Sequence, residues 1–191
     1  MKKFNQFIPE SNSGDYLYYY SFDLDDNILI MPTKIHMEEL INGKWIKQSV
    51  STEKYSDIKN SSNWRFYKNN AELTFSEFRD TGERGDKAFL LDLKKAIENN
   101  KFGPSWVDFK ECITSGSIFS IITARGHEED TLREGVKWII DNELSKDELY
   151  EMYNNLLKFA YLYKYDDTKY DKFLKGNPTD NYLVNKYLNN C

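Results

Sequence analysis

The sequence predicts an α/β fold: a parallel sheet with flanking helices, and a β-hairpin and further insertion after its first strand. Three observations predict it. The aromatic run at 16–22 has strand composition and leads straight into Asp23-Leu24-Asp25-Asp26. Ser117-Ile118-Phe119-Ser120-Ile121-Ile122 is a second short, β-branched strand, running through a polar loop into a helix at about 128–141. Strand, loop and helix make half of a βαβ unit. Between the two strands, Asn42-Gly43 is a dipeptide suited to a type I′ turn, flanked by strand-like stretches at 34–40 and 44–50.

The elements follow in order. A polar segment at 9–15 precedes the first strand, and the hairpin follows the acidic loop. Ser51-Thr52-Glu53 offers a helix cap for a short helix ending at Ile58, before an Asn/Ser-rich loop at 60–63. The stretch 64–85 carries no clear period and is assigned only to an insertion, with Thr81-Gly82-Glu83-Arg84-Gly85 as a flexible turn. Phe89, Leu90, Leu93, Ala96 and Ile97 form a helical stripe, and Pro104-Ser105 opens another helix that ends near Ile113. After the 128–141 helix, Leu149, Met152, Leu156, Leu157 and Ala160 mark an amphipathic helix over 145–163, and a last helix is expected near 182–188.

Composition narrows the function. A chain of 191 residues buries one sizeable core with a small accessory module, and 40% hydrophobic with 16% aromatic residues is too apolar for disorder. A net charge of -5 with interspersed signs gives no electrostatic basis for coating nucleic acid or a membrane, although a nucleic-acid end held in a local groove remains compatible. Cys112 and Cys191 are too few for a disulfide framework or a thiolate zinc site, which fits a reducing compartment. With no stretch resembling a signal peptide or a membrane span, the expectation is a soluble cytoplasmic protein.

The chemistry concentrates at Asp23, Asp25 and Asp26. Three carboxylates at a strand end repel one another unless a cation sits among them or the turn is fully hydrated. A solvated acidic turn is the plain alternative.

Phe22-Asp23-Leu24-Asp25-Asp26-Asn27 and Ile121-Ile122-Thr123-Ala124-Arg125-Gly126 together resemble the first and second motifs of the haloacid dehalogenase-like (HAD) superfamily. That resemblance implies a Rossmann-like core formed by 1–35 and 104–191, with 36–103 as hairpin flap and cap. It implies that Asp23 is a nucleophile forming an aspartyl-phosphate and that Asp25 is the general acid and base. Mg²⁺ would be held by Asp23 and by the Asp25 carbonyl, and Thr123, Ala124 and Arg125 would bind the phosphoryl group. Asn27 stands where the family often has Thr. The third and fourth motifs are not evident. Lys164, Lys169, Lys172, Lys175 and Lys186 are all candidates for the lysine, and Tyr165-Asp166-Asp167 holds the one later Asp-Asp pair.

The core is therefore expected to be incomplete, with an open edge beside the first strand. A truncated chain, a tail covering that edge, or an oligomer or partner supplying a strand would each account for it, and truncation is favoured. The reading is a Mg²⁺-dependent phosphohydrolase acting on a phosphomonoester, either a small phosphorylated substrate or a nucleic-acid end, with no membrane partner. The alternative is a non-catalytic or partner-completed domain. Trp45, Trp64, Tyr67 and Trp106 would contact a substrate ring or, preferably, pack the insertion. His127 is expected at the surface, His36 has no evident partner, and Cys112 is expected in the core.

Overall fold

The computed structural model describes residues 18–81, 85, 87–158 and 181–191. Within them the protein is mixed α/β, with one parallel and one antiparallel sheet and seven α-helices. Two compact units are distinguished. The described part of the first is 18–29, 102–123, 133–158 and 181–191; that of the second lies within 30–101 and adds 124–132.

In the first unit, β1 (Tyr19–Asp23) pairs in parallel with β5 (Ile118–Ile122), in a register running from Tyr19 opposite Ile118 to Asp23 opposite Ile122. Alternation sorts the side chains of β1. Tyr20 and Phe22 are buried while Tyr19 and Asp23 are open to solvent. Phe22 meets Phe109 edge-on at 5.2 Å between centroids, Phe109 meets Phe119 at 5.5 Å, and Phe119 meets Tyr187 at 6.1 Å. Such pairs each contribute about 0.5–1.5 kcal/mol beyond their buried area. They tie both strands to α4 (Trp106–Thr114) and α7 (Asn181–Leu188).

Around this core, α6 (Lys146–Lys158) begins with a reciprocal cap. The Ser145 N–H donates to Glu148 and the Glu148 N–H donates to the Ser145 hydroxyl. Glu148 also receives Lys110 of α4 at 2.8 Å. The Tyr187 hydroxyl donates to the buried Ser117 carbonyl at 2.6 Å, fixing α7 to the entry of β5. Cys112 is fully buried and burial pushes its thiol well up, so it is a neutral core residue.

The second unit contains β2 (Ile35–Ile41), β3 (Lys44–Val50) and β4 (Trp64–Phe66) in the order β3-β2-β4, all antiparallel. The β2–β3 turn has positive φ at both Asn42 and Gly43, as a type I′ turn requires. The Ser51 side chain caps α1 (Thr52–Ile58) through the Lys54 N–H. Ile35, Met37, Val50, Ile58 and Phe78 form the core under one face of the sheet, with Trp64 and Phe75 packed against them. α2 (Ala71–Thr74) and α3 (Lys87–Glu98) complete the unit, and α5 (Glu129–Glu143) starts in it and continues into the first.

Three differences from the sequence reading have physical causes. The stretch 64–78, to which the sequence assigns no definite element, holds β4, two 3₁₀ turns and α2. Three residues of strand are too few to display a period, and β4 is held through Arg65 bound to Glu38 at 2.7 Å. Among the described residues the parallel sheet has two strands, so the architecture shown is mixed α/β and no more specific than that. Residues 124–132 belong with the inserted unit, because their side chains and amides find their partners there. Tyr16, Leu17, Ala160, Lys164, Lys169, Lys172, Lys175 and Tyr165-Asp166-Asp167 lie outside the described residues. Among those described, no helix is long and apolar enough to cross a membrane.

Candidate active site

The chain turns sharply as it leaves β1. The Ile28 and Leu29 amides both donate to the Leu24 carbonyl at 3.1 Å, and the Asp26 N–H donates to the Leu29 carbonyl at 2.9 Å. Asp26 takes a positive φ of 57°, a conformation that Asp tolerates better than most residues. Leu24, Ile28 and Leu29 are buried, while Asp23 and Asp26 are exposed and Asp25 is half-buried. The turn thus presses its apolar side chains inward and leaves its carboxylates on the outside. The strand ends at Asp23, so the side-to-side alternation of an extended chain does not carry on to Asp25.

The segment at 102–105 clamps this turn. Gly103 N–H donates to the Ile28 carbonyl and Ser105 N–H to the Asn27 carbonyl, both at 2.9 Å, and Leu29 bridges Phe102. A Cβ on Gly103 would sit 2.1 Å from the Asn27 carbonyl oxygen and 2.5 Å from its carbon. Only glycine permits that approach. Asn27 therefore contributes to the turn through its carbonyl.

Asp23 is surface-accessible, yet partial burial of its carboxyl group is the largest influence on it and raises its pKa. The Leu24 N–H opposes this rise, and the nearby Asp25 and Asp26 carboxylates add to it. The parallel register puts Asp23 beside Ile122, so Asp23 and Thr123 emerge at the carboxyl ends of adjacent strands. Asp23, Asp25, Asp26 and Thr123 all belong to the first unit. Among the described residues, no group of three or more His, Cys, Asp or Glu side chains is arranged to hold a metal ion.

Ala124 and Arg125 belong to the second unit. Ala124 is exposed, whereas Arg125 is 6% exposed and lies within that unit's interior. Its Nη2 donates to Thr33 Oγ1 at 2.8 Å, and Thr33 Oγ1 donates to Asp92 Oδ2 at 2.7 Å. Its guanidinium lies over the Phe78 ring at 4.6 Å. Arg125 is thus built into a buried polar network, a different setting from the phosphoryl site expected for it. His127 needs a plain correction: its side chain is fully buried. Its Nδ1 lies 2.9 Å from Asp80 Oδ1 and its Nε2 lies 3.4 Å from Arg125 Nη1. An imidazole that donates from Nδ1 and accepts at Nε2 satisfies both neighbours.

Asp80 is the residue that sequence reasoning missed. Besides His127, it accepts the Glu128 N–H at 2.6 Å and the Thr131 hydroxyl at 3.0 Å, at the start of α5. Partial burial pushes its carboxyl up, but these three donors outweigh burial and hold it below the usual range. No local signal marks it, since Asp80 and His127 are 47 positions apart in sequence.

His36 also has partners. The Ser49 hydroxyl lies 2.9 Å from Nδ1, and Glu77 Oε1 lies 3.2 Å from Nε2. Ser49 is directly opposite His36 in the β2–β3 register, so this is a cross-strand pair that fastens the hairpin to Glu77. Trp64 packs on the core, Trp106 stacks on Phe102 at 4.7 Å, and Trp45 and Tyr67 lie under Arg65 and Lys47. Lys186 lies on α7.

No family model matches the chain, and comparisons with curated proteins and with solved structures find no match.

Two outcomes follow from this geometry. Gly103→Ala must displace the Asn27 backbone, and should lower stability by about 1–3 kcal/mol in chemical denaturation. Asp23 has a raised folded-state pKa, so its charge opposes folding at neutral pH and ceases to do so below the unfolded value of about 3.9. Asp23→Asn should therefore stabilise the protein by up to about 1 kcal/mol at pH 7, with the gain vanishing as pH falls below the unfolded value in a thermal-melt series.

Proposed function

We propose that this protein is a Mg²⁺-dependent phosphohydrolase that acts on a phosphomonoester through an aspartyl-phosphate on Asp23. The observation that carries the reading is the placement of Asp23 and Thr123 at the carboxyl ends of adjacent parallel strands, where open α/β sheets bind ligands. The Asp25 and Asp26 carboxylates, which raise the Asp23 pKa, and a turn closed on its Asn27 side by Gly103, support it.

In this reading the Asp23 carboxylate attacks phosphorus. Asp25 protonates the leaving oxygen and then takes a proton from the water that releases phosphate. Thr123 donates its hydroxyl to a phosphoryl oxygen. The donor set at 23–26 suits Mg²⁺, a hard cation that takes one or two carboxylates and fills its remaining positions with water and phosphate oxygens. Asp23 and the Asp25 carbonyl would hold it, and when bound it supplies charge neutralisation for the phosphoryl group.

A second reading, a non-catalytic or partner-completed domain of the same kind, is favoured by two observations among the described residues. β1 has one sheet neighbour, and no third acidic side chain completes a metal site. In that case an oligomer or a partner protein covers the open edge.

Hydrolysis of p-nitrophenyl phosphate separates the two. The phosphatase reading expects turnover that requires Mg²⁺ and falls by at least about 10³-fold in Asp23→Asn, with a smaller loss in Asp25→Asn. A folded wild-type protein with no Mg²⁺-dependent turnover supports the second reading instead.

A further inference from the structure

Every second residue of β3 aims its backbone groups away from the sheet. In the β2–β3 ladder Leu40 stands opposite Trp45, Glu38 opposite Lys47 and His36 opposite Ser49. The Leu40 N–H donates to the Asn63 carbonyl at 2.8 Å, on the β4 side of β2. Leu40 and Trp45 therefore exchange no hydrogen bonds with each other, and the alternation of an antiparallel ladder makes the other two pairs alike. The N–H and C=O groups of Trp45, Lys47 and Ser49 thus face the open side of β3, the outermost strand in the order β3-β2-β4. Among the described residues no backbone or side-chain group bonds them.

The side chains beside this edge have a definite character. On the face that carries Val50 and the core, Ile46 is 43% exposed, an apolar side chain that a neighbouring strand would cover. On the opposite face Lys47 is exposed, with its Nζ 4.6 Å from the Tyr67 ring. Glu38 lies across from it but is bound to Arg65 at 2.7 Å. Lys44 is exposed as well, and β3 contains no acidic residue. A second copy of the chain is a poor occupant. The antiparallel register that pairs all of β3 with itself sets Lys47 against Lys47, and like charges directly opposite destabilise a ladder. The lysine that repels a second copy attracts an acidic strand.

From these observations we propose that β3 is a strand-addition site for an extended acidic segment of a partner protein, one in which carboxylates alternate with β-branched apolar residues. Its backbone completes the ladder on Trp45, Lys47 and Ser49, its apolar side chains cover Ile46, and its carboxylates meet Lys47. Main-chain bonds supply the affinity and the alternating side chains the selectivity. The site lies wholly within the antiparallel sheet and is independent of the phosphatase reading.

The test uses the full chain and the peptide acetyl-Glu-Val-Glu-Val-Glu-Val-Glu-amide, with acetyl-Lys-Val-Lys-Val-Lys-Val-Lys-amide as its counterpart. In the free chain, amide exchange read by NMR should be within about tenfold of an unstructured peptide at Trp45, Lys47 and Ser49, and at least about 100-fold slower at Ile46 and Gln48, which bond to β2. The acidic peptide should slow exchange at the first three by at least about tenfold, and the lysine peptide should not. Ser49→Ala keeps the outward amide and should bind as wild type does. Ser49→Pro removes that amide at an edge position where the fold does not use it, and should weaken binding by at least about tenfold. Lys47→Glu should weaken it similarly, with the β2 amides protected in every variant. Protection of Trp45, Lys47 and Ser49 in the free chain overturns the proposal: unchanged by concentration, it assigns the edge to another segment of this chain, and rising with concentration, to a second copy. Equal binding of the lysine peptide, unimpaired binding by Ser49→Pro, or no binding of the acidic peptide at millimolar concentration would each overturn it as well.

Discussion

A slip of one residue between β1 and β5 would turn Phe22 out of the aromatic core and drive the Asp23 carboxylate into it. The chain of rings from Phe22 through Phe109 and Phe119 to Tyr187 forbids that slip, since every ring in it is buried. The same register decides which polar groups stand together at the strand tips. Asp23 stands opposite Ile122, the last residue of β5 before Thr123, because Tyr20, Phe22 and Phe119 must be buried.

Beyond the strand tip, the acidic turn works against its own electrostatics. Its carboxylates would spread apart in a loose loop, and the structure denies them a loose loop. Leu24, Ile28 and Leu29 hold the turn from beneath, and Gly103 lets a second backbone close on Asn27 from the side. Burial of apolar groups and paired amides thereby sustain a repulsion that has no benefit for folding. Concentrations of unfavourable charge of this sort are characteristic of functional sites. Thr123 follows directly on β5. The adjacent Arg125 and His127, whose polarity suggests ligand binding, serve the buried network.

Much of this was legible in the sequence where a local rule governs. The Asn42-Gly43 turn, the Ser51 cap, the helices at α3 through α7 and both parallel strands follow from period, turn chemistry and caps within a few residues. Asp23, Asp25 and Thr123 were singled out by a family resemblance laid over two readable strand ends, and the parallel register places Asp23 opposite Ile122, next to Thr123 in the chain. What could not be read depends on distance along the chain. β4 is a strand only because β2 offers it an edge, and Asp80 matters only because folding brings it to His127 and α5. A burial pattern likewise puts Arg125 inside while Ala124 is exposed, and no local period encodes that.

The proposed role of Asp23 is to accept a phosphoryl group. Acid-quenched protein taken during turnover of a phosphomonoester with Mg²⁺, digested and read by mass spectrometry, tests it directly. A single phosphoryl group is expected on the peptide containing Asp23, absent from Asp23→Asn and discharged when substrate is exhausted. Turnover with no protein-bound phosphate, or with phosphate on another residue, would contradict it.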